Sequence, residues 1–148
     1  MSRVEERLEE MGLALPPVPE PMGLYVPVNS FGNLVYTSGQ GSRTFRGKIG
    51  SDFTVEEGRA AARACALSCL AAIKQEIGDL DRVEKIFKVL GFVNSAPGFN
   101  QQPLVINGAS QLLLDVFGVR GRHARSAIGA NELPGDVAVE VEMLVAIK

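Results

Sequence analysis

Residues 137–147 read Val137-Ala-Val-Glu-Val-Glu-Met-Leu-Val-Ala-Ile147, and the alternation in this run decides the fold. Successive side chains of a strand point to opposite faces. Val137, Val139, Val141, Met143, Val145 and Ile147 therefore share one face, and it is entirely apolar. Glu140, Glu142, Leu144 and Ala146 share the other. The first face needs a layer of helices to cover it. The second is only partly polar, which suits an oligomer interface containing polar sites better than open water.

The covering layer is legible upstream. From Val55 to Ile77 the chain is rich in Ala and Leu and has no proline, with Thr54 and Glu57 at capping-box spacing before it and Gly78 after it. This predicts a long helix whose alanines allow close approach to a sheet. Pro103 suits the first turn of a second helix, in which Val105, Ala109, Leu112, Leu113 and Val116 recur at helical spacing until Gly118. Between the helices, Asp79–Asp81 is a connector, Val83–Val93 a strand and Asn94–Gly98 a loop. A further strand spans His123–Gly129, and Leu133–Asp136 is a turn before the closing run.

Toward the N-terminus, Tyr25–Asn29 and Leu34–Ser38 read as the arms of a hairpin around Ser30–Asn33, with Pro27 placing the first arm at a sheet edge. Gly39, Gly41, Gly47 and Gly50 mark a loop with room for a short strand. Residues 1–24 begin as a short amphipathic helix, with Ser2 and Glu5 at capping-box spacing and Val4, Leu8 and Met11 on one face. Gly12 ends it, and Pro16, Pro17, Pro19 and Pro21 make an extended arm. The whole predicts one α+β domain over 1–148, a two-layer sandwich with both long helices on one face of a mixed sheet.

Composition narrows the function classes. The chain has 148 residues, a net charge of −2 and 46% apolar residues, which fits one soluble globular domain. Lys and Arg are scattered among acids, so no nucleic-acid partner is expected. No apolar run approaches the roughly 20 residues of a membrane span. The opening Met-Ser-Arg-Val-Glu-Glu-Arg is not a secretory leader, and the expected compartment is the cytoplasm. Cys65 and Cys69, four apart on a helix, read as small core residues, since a disulfide there would strain the helix. With a single histidine they make a poor metal set, so no metal site is expected.

No nucleophile elbow, phosphate loop or dinucleotide fingerprint is present. His123 reads as a lone surface histidine. What remains is Arg125 on one strand and Glu140 on the next, and strands joined by a short turn are usually neighbours. The guanidinium suits a bidentate carboxylate clamp, and the carboxylate suits positioning and polarising a water. Hydrolysis of an imine asks for little more, because its carbon is already electrophilic. The same two residues could equally form a cross-strand salt bridge.

Tyr25-Val-Pro-Val-Asn-Ser-Phe-Gly-Asn-Leu-Val-Tyr-Thr-Ser-Gly-Gln40 resembles the N-terminal hairpin of the reactive intermediate deaminase (Rid, YjgF-like) family. His123-Ala-Arg-Ser-Ala-Ile-Gly129 with Glu132-Leu-Pro134, and Val139-Glu-Val-Glu142, are similar to that family's Ala-Arg-Ser signature, Leu-Pro turn and Glu-bearing last strand. The blocks keep the family's order and spacing from about Tyr25 onward. The text from Leu90 to Gly98 and from Val105 to Ser110 resembles a longer bacterial branch.

The resemblance implies a chorismate-mutase-like fold and a homotrimer with sites in clefts between subunits. It implies hydrolysis of enamine or imine intermediates, such as 2-aminoacrylate and 2-iminopropanoate, to 2-keto acids and ammonia, with no cofactor. It assigns carboxylate binding to Arg125, water positioning to Glu140, and pocket lining to Tyr25, Ser38, Gly39 and Asn107. Three of the last group have a plainer reading: Tyr25 packs on the arm, Ser38 satisfies a turn, and Asn107 is solvated. The founding branch often has a cysteine where this chain has Ala127, so no thiol role is expected there. The N-terminal helix and arm have no counterpart in short members and are placed to cover or narrow the cleft. The competing functions are a non-catalytic trimer that binds small carboxylates and, less in keeping with the acidic balance, an endoribonuclease or translation inhibitor.

Overall fold

The computed structural model describes residues 1–148, in the order α1 (Arg3–Glu10), β1 (Val28–Phe31), β2 (Leu34–Thr37), β3 (Gln40–Gly41), α2 (Val55–Ile77), β4 (Val83–Asn94), α3 (Gln102–Phe117), β5 (Ala124–Ala130) and β6 (Val139–Ile147). The fold is the α+β sandwich predicted. The strands form one mixed sheet ordered β1-β2-β6-β4-β5, with β3 pairing β6 beyond the end of β2. β6 is thus central, and its alternation is realised in full. Val139, Val141, Met143 and Val145 are buried beneath the helices, while Glu140, Glu142, Leu144 and Ala146 are partly exposed on the open face.

Both ends of α2 are fixed by local chemistry. The Thr54 hydroxyl accepts the Glu57 N–H, the Glu57 carboxylate accepts the Thr54 N–H, and Gly78 closes the helix at φ 86°. Its small face, Ala61, Ala62, Cys65, Ala66 and Cys69, is completely buried. That lets the helix sit so low that Cys65 and Cys69 donate their S–H groups to the carbonyls of Val139 and Val141, at 3.4 and 3.3 Å. α3 crosses α2 equally closely: a Cβ on Gly108 would lie 2.0 Å from the Arg59 carbonyl oxygen.

Two expectations are corrected. The hairpin's first strand starts at Val28, and Tyr25 lies outside the sheet. Pro27 cannot donate to a ladder, so pairing begins only at Val28 with Thr37 and runs to Phe31 with Leu34. The turn is therefore only Gly32-Asn33, with Gly32 at φ 61°. More consequentially, β5 and β6 are not neighbours. α3 is a crossover that returns the chain parallel to β4, pairing Val89 with Arg125 and Phe92 with Ile128. β6 takes the opposite edge of β4, pairing Val89 with Met143 and Phe92 with Glu140. β4 thus stands between the strands that carry Arg125 and Glu140, and no salt bridge joins them.

The connection into β6 is held by Asn94, which is fully buried. Its amide donates to the carbonyls of Gly47 and Val137 and to the Asp136 carboxylate, and its oxygen accepts Lys48 Nζ at 2.9 Å. α1 is pinned at its start. Its first free N–H groups, on Arg3 and Val4, donate to the Asp81 carboxylate at 2.9 and 3.2 Å, and the Ser2 hydroxyl accepts that of Glu5. Val4 and Leu8 are buried, and Lys74 pairs with Glu5 at 2.8 Å. No helix is long and apolar enough to cross a membrane.

Burial pushes the Cys65 thiol well up and the Cys69 thiol up to about 12. Neither forms the nucleophilic thiolate at neutral pH. In the native protein both should therefore resist alkylation at pH 7.5 and react at once in denaturant. Replacing both with alanine should cost about 1–2 kcal/mol of stability through lost packing. Rapid labelling of the folded protein, followed by mass spectrometry, would show the packing to be wrong.

Candidate functional site

The open face of β6 and the proline-rich arm enclose a cavity of about 780 Å3. Pro21, Met22 and Tyr25 line it from the arm, and Ser38, Gly39 and Glu140 line it from the sheet. The arm thus narrows the space above Glu140, as its position in the sequence suggested. The Ser38 hydroxyl donates to the Val26 carbonyl at 2.6 Å, and its N–H donates to the Pro27 carbonyl, so Ser38 ties the arm's end to the sheet. Tyr25 curls back on the arm, its hydroxyl accepting the Met22 N–H at 3.3 Å. The plainer readings of Ser38 and Tyr25, turn satisfaction and arm packing, both hold while the residues line the cavity.

Glu140 occupies space that Gly39 leaves open. A Cβ at Gly39 would fall 2.5 Å from Glu140 Oε2 and 2.8 Å from its carboxyl carbon. Burial and the nearby Glu142 charge raise the Glu140 pKa above the ordinary carboxylate value, and no hydrogen bond or cation offsets them. Glu142 itself accepts the Tyr36 hydroxyl at 2.6 Å. A half-buried acid left without a partner costs stability and is characteristic of functional positions.

Arg125 lies at the far edge of the sheet and on its other face, reaching over α3. Nη1 donates to Asn107 Oδ1 at 2.7 Å and to Ser110 Oγ at 3.1 Å, and Nη2 donates to the Pro103 carbonyl at 3.3 Å. A guanidinium has five N–H donors. These bonds occupy both hydrogens of Nη1 and one of Nη2. The free pair, on Nε and Nη2, is a side-on edge of the kind that grips a carboxylate bidentately. Asn107 is therefore no solvated bystander: it holds the Arg125 guanidinium in place.

Within one chain, then, the sequence-derived residues fall into two groups. Tyr25, Ser38, Gly39 and Glu140 share the arm cavity, and Asn107 and Arg125 share the β5 edge. The sheet separates the groups. Two further residues belong to the second group and were not anticipated. Far from being a lone surface side chain, His123 is half-buried, with Nε2 2.8 Å from Ser110 Oγ and Nδ1 2.6 Å from the Gly121 carbonyl. The available signal was the two-residue spacing from Arg125, which puts both on one side of the strand; Ser110 gave none. No three His, Cys, Asp or Glu side chains converge as a metal site would require.

Residues 5–145 match a family model described as "YjgF/chorismate_mutase-like, putative endoribonuclease". Protein TCP17 of Trypanosoma cruzi is 44% identical over 151 residues, spanning 98% of this chain and 94% of the relative. The crystal structure of Atu1372 from Agrobacterium tumefaciens superposes with a TM-score of 0.93 at 41% identity, over 99% of this chain and 93% of that one. TdcF of E. coli, solved with bound serine, is more distant: TM-score 0.64 and 25% identity, over 88% and 94% of the two chains.

The unpartnered acid predicts a stability change of defined sign. Because the folded pKa of Glu140 is raised, its ionised form opposes folding, and the penalty disappears once the pH falls below the unfolded carboxylate value near 4.3. Glu140→Gln should melt higher than the wild type at pH 7, with the difference vanishing by about pH 4. A variant that melts lower at pH 7 would mean that the carboxylate gains a stabilising partner, as a cation from another copy of the chain would be.

Proposed function

Because the chain belongs to the YjgF/chorismate-mutase-like family, we propose that it hydrolyses the imine form of 2-amino acids to 2-keto acids and ammonia, at sites completed by two subunits of a homotrimer. The observation that carries this reading is the split between the two groups. Arg125 offers a preset edge for a substrate carboxylate, Glu140 is an unpartnered acid facing a cavity, and the sheet keeps them apart in one chain. A second copy can bring them together. The open sheet face supports such pairing, because it leaves Leu34, Tyr36 and Ile128 between 40 and 46% exposed, a patch suited to association. TdcF holds serine, a 2-amino acid with the same carboxylate-and-nitrogen arrangement as the proposed substrate.

The chemistry follows from the two groups. Arg125 binds the carboxylate through Nε–H and Nη2–H and so fixes the C=N carbon. Glu140, whose raised pKa lies nearer neutrality than that of an exposed acid, takes a proton from a water as the water oxygen attacks that carbon. The resulting carbinolamine receives that proton on nitrogen; as the C–N bond breaks and ammonia leaves, the hydroxyl proton passes to the Glu140 carboxylate and the C=O bond forms. An enamine enters the same path after protonation at its terminal carbon. No cofactor takes part. The endoribonuclease in the family's description is not favoured by a chain of net charge −2 with dispersed cations.

Two variants separate capture from chemistry. Arg125→Lys keeps the charge but loses the planar edge, which should weaken keto-acid binding by about 1.5–3 kcal/mol. Glu140→Gln should bind a keto acid as well as the wild type, or slightly better, yet lose roughly 10²–10⁴-fold in turnover. Calorimetry would follow the binding, and a coupled assay in which a pyridoxal-phosphate dehydratase generates 2-aminoacrylate would follow the turnover. Turnover at the wild-type rate in Glu140→Gln would remove its role in the chemistry, and a wild type that binds keto acid through Arg125 yet gives no turnover above background would be a carboxylate-binding module instead.

A further inference from the structure

We propose that Ser110 and His123 are positioning residues that lock the Arg125 guanidinium with its Nε–Nη2 edge free, and so set the affinity for the substrate carboxylate. The inference rests on the carboxylate-clamp reading of Arg125 and adds the machinery behind the clamp.

Proton bookkeeping fixes the direction of every bond. The Gly121 carbonyl can only accept, so the contact at 2.6 Å places the imidazole proton on Nδ1. Nε2 is then bare and accepts from Ser110 Oγ at 2.8 Å. Ser110 spends its one hydrogen there and turns its lone pairs toward Arg125 Nη1 at 3.1 Å. The chain runs one way, from Arg125 to Ser110 to His123 to Gly121, with each group in its only consistent role. Burial lowers the His123 pKa and outweighs the hydrogen bond to Gly121, which raises it; the guanidinium charge adds a smaller lowering, and the net direction supports the neutral ring this chain requires.

Without His123 the arrangement would not hold. A serine within a helix readily donates to the carbonyl four residues back, here that of Ile106, and doing so would draw its oxygen from the guanidinium. His123 outcompetes that carbonyl. The acceptor at the end of the chain is itself fixed: a Cβ on Gly121 would lie 2.2 Å from the Leu113 carbonyl oxygen, so the turn is seated directly on α3. With Ser110 displaced, one Nη1 hydrogen is left unclaimed. The guanidinium then keeps only its bonds to Asn107 and Pro103, can turn about them, and no longer presents its Nε–Nη2 edge in a single orientation to the C=N carbon.

The test uses the full-length protein, 2-oxobutanoate as calorimetric probe and the coupled imine assay. Ser110→Ala and His123→Phe should each weaken 2-oxobutanoate binding and raise KM about three- to tenfold, the range of one lost hydrogen bond, with kcat within about twofold of wild type. His123→Gln, whose side-chain oxygen can accept from Ser110, should restore most of the affinity. The double variant Ser110→Ala/His123→Phe should be no worse than Ser110→Ala alone, because the ring acts only through the hydroxyl. Alanine is a good helix former, so Ser110→Ala tests the idea even if His123→Phe folds poorly. Unchanged affinity in Ser110→Ala, or additive losses in the double variant, would overturn the positioning role while leaving the clamp intact. A wild-type protein that binds no 2-keto acid would overturn both.

Discussion

A strand with two different faces, placed at the centre of the sheet, governs the rest of this molecule. β6 must bury Val139, Val141, Met143 and Val145 on one side, and only a helix with a very small face can come close enough to cover them. α2 provides that face with Ala61, Ala62, Cys65 and Ala66, all without exposed surface. The same alternation forces Glu140 and Glu142 to the other side, away from every helix. A one-residue slip in register would exchange the two sets. Asn94 guards against it at the strand's entrance, by holding the Val137 carbonyl and the Asp136 carboxylate.

The acid on the open face is expensive. Glu140 is half-buried near a second carboxylate, and Gly39 gives up its side chain to make room for it. Nothing in the packing benefits from that arrangement. Proteins retain strained or poorly solvated groups where function uses them, and substitutions that relieve the strain tend to stabilise at the expense of activity. The arm adds to the same design. Its end is tied to the sheet by Ser38, the helix before it is held by Asp81, and between these points it closes over the carboxylate.

Much of the fold was legible because its signals are local. The alternation of 137–147, the capping box at Thr54 and Glu57, and the glycines at 78 and 118 each act within a few residues of themselves. Strand order is not local, which is why Arg125 and Glu140 were expected on adjacent strands. The helical crossover through α3 decides that order, and it places β4 between them. Arg125, Glu140 and Asn107 were flagged as chemical candidates from residue type and resemblance. The contact between Ser110 and His123 was hidden, because it joins a helix to the start of a strand thirteen residues away, and the resemblance assigned neither residue a role.

The proposed function requires that each site take Arg125 from one subunit and Glu140 from another. Co-expressing Arg125→Ala with Glu140→Gln and assaying the mixed trimers tests this directly. Each parent is expected to be nearly inactive. In a trimer with shared sites, every mixed assembly contains one intact pair, so random mixing should recover about a quarter of wild-type turnover. Activity in the mixture no greater than the average of the two parents would contradict a site built between subunits.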